Sequence, residues 1–466
     1  MNAQALHQLS IVEAGKLLRG GAITSRQLTD AALDRIAALD PQVRAFVTLT
    51  EGRAHADAQR ADEAFSRGVD LGPLQGIPYA LKDLIDTAGI RTTAGSRLML
   101  DHVPTQDAAI AAILREGGGV LLGKVATYEF ALVGPSFDLP FPPVRNPWNT
   151  DHITGGSSSG SAAAVAAGFV RTAIGTDSGG SIRSPACYCG VVGLKPTFGR
   201  VSCRGVYPLS TSLDHIGPIS ATVEEAAVTF DVIAGSVPEY PQARSRIGED
   251  LRGLTLAYPR SFHCNDPEAA PEVVAALDDA VSQLSLLGAR IEEIDLPAYK
   301  LYEDCGSVIL QAEAYAVHEH NLRTRAQDYG RLAAQSLATG VALTAADVAR
   351  AREVQRGLTL ALDRDVFGRF DALVCANVLA PAPPFDTFDG LTPRWTAMRT
   401  LPFNVTGHPA LALPIGASRN GLPLGMQIVG KAFDEAGICR IGAAYEMAAD
   451  WARLPSFAAL TGATAA

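Results

Sequence analysis

Short apolar runs that predict buried strands alternate with helical patterns along almost the whole chain, which restricts the fold to α/β architectures. The strands are predicted at residues 79–81, 120–122, 254–258, 289–294, 372–375 and 425–429, and a helix is predicted at 107–116. A chain of 466 residues would by its length alone divide into two or three domains. However, no internal repeat and no linker interrupts the alternation, which favours one large α/β domain.

Helical patterns dominate two stretches outside this alternation. Capping-box patterns predict one helix after Ser10 and another after Thr24. Residues 302–365 form a largely helical insertion, and a long loop rich in proline and aspartate follows at 378–394. Segments of this kind commonly shape a pocket over a fixed core, and we expect that role for them here.

The charge of the chain argues against a polyanionic ligand. The formal net charge is −10 and no run of lysines or arginines occurs, so we expect a small-molecule substrate and neither nucleic acid nor anionic lipid. No charged-then-apolar N-terminal pattern and no apolar run of about 18 residues is present, which predicts neither a secretion signal nor a membrane span.

The cysteines predict a reducing environment. Seven are scattered along the chain, and an odd, dispersed set is typical of reduced thiols and a cytoplasmic location. Cys187 and Cys189 form the only close pair in the sequence. Because two ligands alone do not make a zinc site, no metal is expected.

Two glycine–serine clusters, at residues 155–161 and 175–181, flank one short apolar segment. Three interpretations compete for them. A flexible linker conflicts with the apolar residues 162–167 between the clusters, and a phosphate cradle lacks the Gly-Lys-Ser/Thr that ends such loops. The third interpretation is a serine nucleophile, because a hydroxyl beside glycine-rich backbone can attack a carbonyl group.

A G-x-S-x-G pattern at residues 156–160 would make Ser158 the nucleophile of an esterase similar to the α/β-hydrolases. That motif requires a strand immediately before it, whereas residues 148–152 have the composition of a polar loop. The pattern is short and is weak support for this interpretation.

Lys82 directly follows the predicted strand at 79–81 and precedes Asp83 and Asp86. A single lysine at a strand end usually extends to solvent or pairs with an aspartate. The local sequence does not distinguish that role from a catalytic one.

Together these segments resemble the amidase signature family. The resemblance rests on blocks that span most of the chain, namely residues 76–78, 81–83, 155–165, 175–183, 193–196, 213–218, 404, 407–410 and 422–427. It implies an α/β fold in which helices flank a single large, mixed and twisted β-sheet of about eleven strands. Residues 1–466 would then form one amidase domain, with N-terminal helices at 1–66, a catalytic core at 67–220 and a variable substrate-pocket region at 300–395.

The resemblance further implies hydrolysis of a carboxylic amide through an acyl-enzyme, with release of ammonia or an amine. The implied triad is Ser181 as nucleophile, Ser157 as proton relay after a cis peptide bond, and Lys82 as base. A lysine acts as a base only when it is neutral, which burial can achieve. We therefore expect Asp83 and Asp86 to point away from Lys82.

Further residues take supporting roles by the same resemblance. Backbone N–H groups of Ser178, Gly179 and Gly180, together with that of the nucleophile, would form the oxyanion hole. Ser158 is expected to hydrogen-bond the catalytic lysine, and Asp177 with Arg183 to hold the glycine loop. Neither a metal nor an organic cofactor is implied.

The aromatic residues before the relay serine are candidates for the walls of the substrate pocket. They are Tyr128, Phe130, Phe137 and Trp148. Such residues are also frequent in an ordinary core, so each is a candidate only.

Two other functions compete with that of a stand-alone amidase. The A-type subunit of glutamyl-tRNA amidotransferase has similar core blocks, but its glutamine-binding arginine segment has no clear counterpart between residues 330 and 369, and residues 207–210 also depart from it. A catalytically inactive scaffold would have no chemical reason to retain Lys82, Ser157 and Ser181. A stand-alone amidase is therefore the favoured prediction, and a homodimer is one assembly that the sequence leaves open.

Overall fold

The computed structural model describes residues 6–449 and contains one eleven-stranded mixed sheet. Its strands lie in the order β1-β3-β2-β6-β8-β7-β12-β13-β11-β9-β10, and β4 and β5 form a separate two-stranded sheet. The strands are β1 (Phe46–Leu49), β2 (Pro78–Lys82), β3 (Val120–Val125), β4 (Arg145–Asn146), β5 (Asn149–Ile153), β6 (Thr172–Asp177), β7 (Val192–Lys195), β8 (His215–Ser220), β9 (Thr255–Tyr258), β10 (Arg290–Glu293), β11 (Ala372–Ala376), β12 (Ala410–Ala417) and β13 (Pro423–Gly430). The predicted α/β class and the single mixed sheet are confirmed.

Helices cover both faces of this sheet. They are α1 (Ile11–Arg19), α2 (Ser25–Val43), α3 (Glu51–Ser66), α4 (Ala109–Glu116), α5 (Ser159–Ala166), α6 (Arg183–Cys189), α7 (Val223–Ala234), α8 (Ser261–Cys264), α9 (Pro271–Leu286), α10 (Tyr299–Thr324), α11 (Arg331–Ala338), α12 (Ala345–Ala361), α13 (Pro402–Val405) and α14 (Glu435–Ala449). Both predicted capping boxes are present, at Ser10 and Thr24. No single helix within residues 6–449 is long and apolar enough to cross a membrane.

The alternation of side chains along β2 shows how the core is divided. Tyr79 and Leu81 belong to an apolar cluster that includes helices α1, α4 and α7, whereas Ala80 belongs to a cluster that includes α2, α3 and α5. Successive residues of a strand point to opposite faces, so the sheet lies between two helical layers. A strand buried on both faces explains why this segment is a continuous apolar run in the sequence.

Strands β2 and β6 are adjacent and parallel, with Leu81 opposite Ile174. Their carboxyl ends therefore meet at one edge of the sheet. Lys82 is the last residue of β2 and Asp177 the last of β6. The sheet thus brings two distant polar segments of the sequence together.

The structure corrects the interpretation of residues 148–152 as a polar loop, because residues 149–153 form β5. Most side chains of this strand are exposed or half-buried, so it has no apolar signal in the sequence. β5 pairs with β4 outside the main sheet, and His152 also forms an antiparallel bridge with Pro384. The strand before the G-x-S-x-G pattern is therefore not a strand of the central sheet.

Candidate active site

Lys82 is fully buried, and its amino group contacts the relay serine directly. Nζ donates a hydrogen bond to Ser157 Oγ at 2.7 Å and another to Thr176 Oγ1 at 2.8 Å. Thr176 lies on β6, beside the strand that ends in Lys82. The lysine is therefore held between the strand edge and the first glycine–serine cluster.

Burial lowers the pKa of the Lys82 ammonium to about 7, although the carboxylates of Asp177 and Asp214 act in the opposite direction. Asp83 and Asp86, which follow Lys82 in the sequence, point away from it, as predicted. Asp83 accepts a hydrogen bond from Thr93 N at 3.0 Å, and the Asp86 carboxylate lies 3.1 Å from His102 Nε2. With its pKa near 7, Lys82 is neutral in about half of the molecules at neutral pH.

The peptide bond between Gly156 and Ser157 is cis, as expected from the resemblance. The carbonyl oxygen of Ser157 accepts a hydrogen bond from Tyr128 N at 3.1 Å. A Cβ atom at position 156 would collide with the ring of Tyr128. Glycine at this position therefore allows the tyrosine to pack directly on the serine turn.

Ser158 does not have the predicted contact with Lys82. Its Oγ donates to the carbonyl oxygen of Thr176 at 3.1 Å and accepts from Thr176 N at 3.2 Å. The reason is that the backbone of Thr176 satisfies the hydroxyl of Ser158 both as donor and as acceptor. Ser158 is fully buried and stabilises the threonine that binds the lysine.

Asp177 and Arg183 form a buried ion pair with an Oδ1–Nη2 distance of 3.0 Å, which confirms the predicted pairing. The carboxylate also accepts hydrogen bonds from the N–H groups of Gly180 and Ile182, at 2.7 and 3.1 Å. Asn404 Nδ2 donates to the same carboxylate at 2.8 Å. Burial alone would raise the pKa of Asp177, but Arg183 and these donors hold it well below its usual value. The charged carboxylate thus fixes the turn that contains Ser181.

A second anchor holds the glycine loop from its other side. Thr400 Oγ1 donates to the carbonyl oxygen of Gly179 at 2.6 Å, and Arg183 Nη1 donates to the carbonyl oxygen of Thr400 at 2.9 Å. Within residues 6–449, the N–H groups of Gly179 and Ser181 have no hydrogen-bond acceptor. Two backbone donors beside the serine are therefore available, whereas that of Gly180 is bonded to the Asp177 carboxylate.

Ser181 is half-buried and lines a cavity of about 340 Å³, hereafter the substrate cavity. Ser178, Gly179 and Gly180 line the same cavity, as do Gly155 and Gly156. In the part of the chain that the structure describes, Ser181 Oγ makes no hydrogen bond to Ser157. The glycine–serine clusters thus form the floor of a pocket of the size that small ligands occupy.

Of the four aromatic candidates for the pocket walls, only Tyr128 lines this cavity. Phe130 is fully buried against Tyr207 and other rings. Phe137 is 50% exposed and packs on Phe385. Trp148 donates its indole N–H to the carbonyl oxygen of Cys189 at 2.8 Å. For these last three residues the prediction is corrected: their rings pack on other parts of the protein.

The opposite walls come from residues that sequence reasoning did not single out. Helix α10 and the segment at 394–401 contribute Tyr299, Glu303, Ser307, Leu310, Trp395, Met398 and Arg399. Arg399 pairs with Asp266 and its guanidinium lies 4.2 Å from the centroid of the Tyr299 ring. The ion pair compensates the charge of Arg399 at the cavity wall, and the cation–π contact stabilises its guanidinium there.

Comparison with known proteins places the site in a family. The Amidase family model matches residues 27–439. The A-type subunit of glutamyl-tRNA(Gln) amidotransferase from Roseiflexus sp. (strain RS-1) is 39% identical, with 97% of this chain and 98% of that protein covered.

Solved structures agree with the sequence matches. The peptide amidase from Stenotrophomonas maltophilia has a TM-score of 0.83 and 30% identity, covering 97% of this chain and 99% of that one. The A-type subunit of the Thermotoga maritima glutamyl-tRNA(Gln) amidotransferase has a TM-score of 0.79 and 30% identity, covering 98% and 97%. With these matches over nearly the full chain, the protein belongs to the amidase family and is an amide hydrolase.

Proposed function

We propose that this enzyme hydrolyses a carboxylic amide through an acyl-enzyme on Ser181, with Ser157 as proton relay and Lys82 as base, and releases ammonia or an amine. The observation that carries the proposal is the fully buried Lys82 with its Nζ 2.7 Å from Ser157 Oγ. A neutral amine in that position can accept a proton from the serine hydroxyl. Ser–Lys pairs are a known alternative to Ser–His–Asp.

The proton movements balance across the two half-reactions. When Ser181 Oγ attacks the amide carbonyl, its proton passes to Ser157, and the proton of Ser157 passes to Lys82. As the C–N bond breaks, Lys82 returns a proton to Ser157, and Ser157 passes a proton to the leaving nitrogen. Water then attacks the ester by the same route and frees the acid. The missing Ser181–Ser157 hydrogen bond would form when substrate orders the nucleophile, since such bonds are often long or absent without substrate.

The tetrahedral intermediate needs backbone donors at the glycine loop. Gly179 and Ser181 have free N–H groups there, and Ser178 and Gly180 complete the proposed oxyanion hole. The N–H of Gly180 would have to share its bond to Asp177 with the oxyanion. Loss of one such donor typically lowers the rate by about 100- to 1,000-fold.

The choice of amide is assigned to the variable region at 300–395 and the loop after it. Helix α10 and residues 394–401 form the cavity walls, whereas the nucleophile and its glycine loop form the floor. One amidase domain over residues 1–466, no cofactor and a cytoplasmic location complete the proposal. The seven unpaired cysteines support that location.

A second candidate function is ammonia release from glutamine as the A-type subunit of a glutamyl-tRNA amidotransferase. It is favoured by relatives that carry that name at 36 to 39% identity. A panel of primary, aryl and fatty-acyl amides that includes indoleacetamide and glutamine separates the two functions. Hydrolysis of a non-glutamine amide by the isolated chain supports the stand-alone amidase, whereas glutamine hydrolysis only with partner subunits overturns it.

Labelling by a fluorophosphonate probe tests the nucleophile. Ser181→Ala should abolish labelling, because Ser181 is the proposed nucleophile, whereas the hydroxyl of Ser178 in the same cavity is bonded to Asp214. Ser158→Ala is the matched control and should still label, at a lower rate, since Ser158 acts through Thr176. Labelling that survives in Ser181→Ala, or disappears only in Ser158→Ala, would exclude the proposed nucleophile. An unlabelled native protein would instead favour an inactive scaffold.

A further inference from the structure

A second cavity of about 250 Å³ lies next to the substrate cavity, hereafter the rear chamber. The two cavities share Ala131, Ser178 and Leu209 as wall residues. The rear chamber also reaches Thr176, whose hydroxyl accepts a hydrogen bond from Lys82. It therefore adjoins the catalytic groups, and none of its lining residues belongs to α10.

His215 lines the rear chamber and has one unused ring nitrogen. The ring is buried, and its Nδ1 lies 2.7 Å from the carbonyl oxygen of Leu213 and 3.2 Å from that of Asp177. The amide nitrogen of Asn404 lies farther from Nδ1, at 3.4 Å. Because the two nearer neighbours are acceptors, Nδ1 carries the hydrogen and Nε2 keeps a lone pair. Within residues 6–449, this buried Nε2 has no hydrogen-bond partner. A buried acceptor without a partner is energetically unfavourable, and a bound ligand with a hydrogen-bond donor would satisfy it.

The other polar groups of the rear chamber favour the same kind of ligand. Its wall contains the hydroxyl groups of Thr176, Tyr207 and Thr211 and the carboxyl group of Asp214, and its lining residues include neither lysine nor arginine. The Asp214 carboxylate already accepts hydrogen bonds from Ser178 Oγ and from the N–H groups of Leu209 and Ser210. His215 Nε2 is the acceptor that remains, so the rear chamber suits a molecule that donates a hydrogen bond. The volume admits ammonia or a short primary amine, which is the product class of amide hydrolysis.

We propose that the rear chamber receives the amine that leaves when Ser181 is acylated, with His215 Nε2 accepting one of its N–H groups. The inference rests on the proposed acyl-enzyme mechanism and adds a binding site for the second product. The acyl group stays in the substrate cavity while the amine moves past Ser178 into the rear chamber. Separate sites let the amine leave before water attacks the ester.

Reversal of this step provides the test. Hydroxylamine offered to the acyl-enzyme attacks the ester carbonyl, so that the new C–N bond forms, the ester C–O bond breaks and Ser181 recovers its proton. Any amide that the panel identifies can supply the acyl group. The measured quantity is the ratio of hydroxamate to free acid, which does not depend on how much of each variant is folded.

His215→Phe removes the acceptor, and Thr211→Phe fills the rear chamber from an exposed position. Each should lower the ratio by about fivefold to tenfold, because one hydrogen bond or the whole site is lost. His263→Phe is the matched control: it is also buried with an unpartnered ring nitrogen, but it lines neither cavity, so the ratio should stay unchanged.

Fluorophosphonate labelling separates the two possible failures. An enzyme that does not label at Ser181 refutes the acyl-enzyme and with it this inference. An enzyme that labels normally but gives equal ratios in the native protein, His215→Phe and Thr211→Phe refutes the rear chamber alone. If His215→Phe does not fold, the ratio in Thr211→Phe decides the question, since that position is exposed.

Discussion

The protonation state of Lys82 should control the rate at which Ser181 is acylated. Burial lowers its pKa from 10.5 to about 7, a preference for the neutral form of about 5 kcal/mol. Only the neutral amine can accept the proton from Ser157. At pH 5 about one lysine in 100 would be neutral, so acylation should be about 100-fold slower than on the plateau above pH 8. The rate should rise with pH, reach half of its maximum near pH 7 and level off above pH 8.

The assay is the second-order rate of fluorophosphonate labelling between pH 5 and 9, because the probe does not titrate in this range. Lys82→Met should react far more slowly, and its residual rate should not depend on pH. Two carboxyl groups near the site titrate in the same window, because burial raises the pKa of Asp214 to about 6 and that of Glu129 to about 7. Asp214→Asn and Glu129→Gln are therefore the controls.

The controls make the assignment refutable. Glu129→Gln should keep the rise near pH 7, and Asp214→Asn should move it to lower pH, since the Asp214 charge favours protonated Lys82. Thr176→Val removes a hydrogen-bond acceptor from the Lys82 ammonium and should also move the rise in labelling rate to lower pH. A native rate that still rises steeply at pH 9 would contradict the lowered pKa of Lys82, and a rise that disappears in Glu129→Gln would show that Glu129, and not Lys82, is the group that titrates.

Other substitutions test the loop that carries the nucleophile. Arg183→Met leaves the buried Asp177 carboxylate without its partner and should lower the free energy of unfolding by about 3 to 5 kcal/mol in urea titration. Arg252→Met, in a fully exposed pair, should leave the free energy of unfolding almost unchanged. Equal losses would contradict the role of burial. Gly180→Ala should slow labelling on the order of 100-fold with an unchanged circular dichroism spectrum, because residue 180 has a φ of +137° and a Cβ atom there would collide with Thr400. Labelling at the native rate would show that the loop tolerates a side chain.

Parts of the site were predictable because they follow from short patterns. The apolar run before Lys82 indicated a buried strand, and the glycine–serine clusters indicated a serine nucleophile beside glycine-rich backbone. The pairing of Lys82 with Ser157 was not predictable from local sequence, since 75 residues separate them. Only the resemblance to a family connected the two segments.

The remaining parts depend on packing that a sequence does not specify. Thr176 resembles any strand threonine until β2 and β6 are known to be adjacent and parallel. The cavity wall at Leu310 shares the apolar pattern of a core helix face, so nothing in it indicates a ligand. Conversely, Phe130 is an aromatic residue near the site, but its ring belongs to the core. Resemblance to a family therefore predicted the catalytic floor, whereas proximity in sequence did not predict the walls.

The hydrogen bond between Thr400 and the carbonyl oxygen of Gly179 makes the two walls of the substrate cavity different as targets for protein engineering. Substitutions near Thr400 would be transmitted to the nucleophile loop, so altered selectivity there would be coupled to a change in turnover. The α10 wall at Glu303, Ser307 and Leu310 forms no such link to the glycine loop among the described contacts. Directed evolution for new amides would best begin on that helix, where mutations can be combined with little epistasis against the catalytic step.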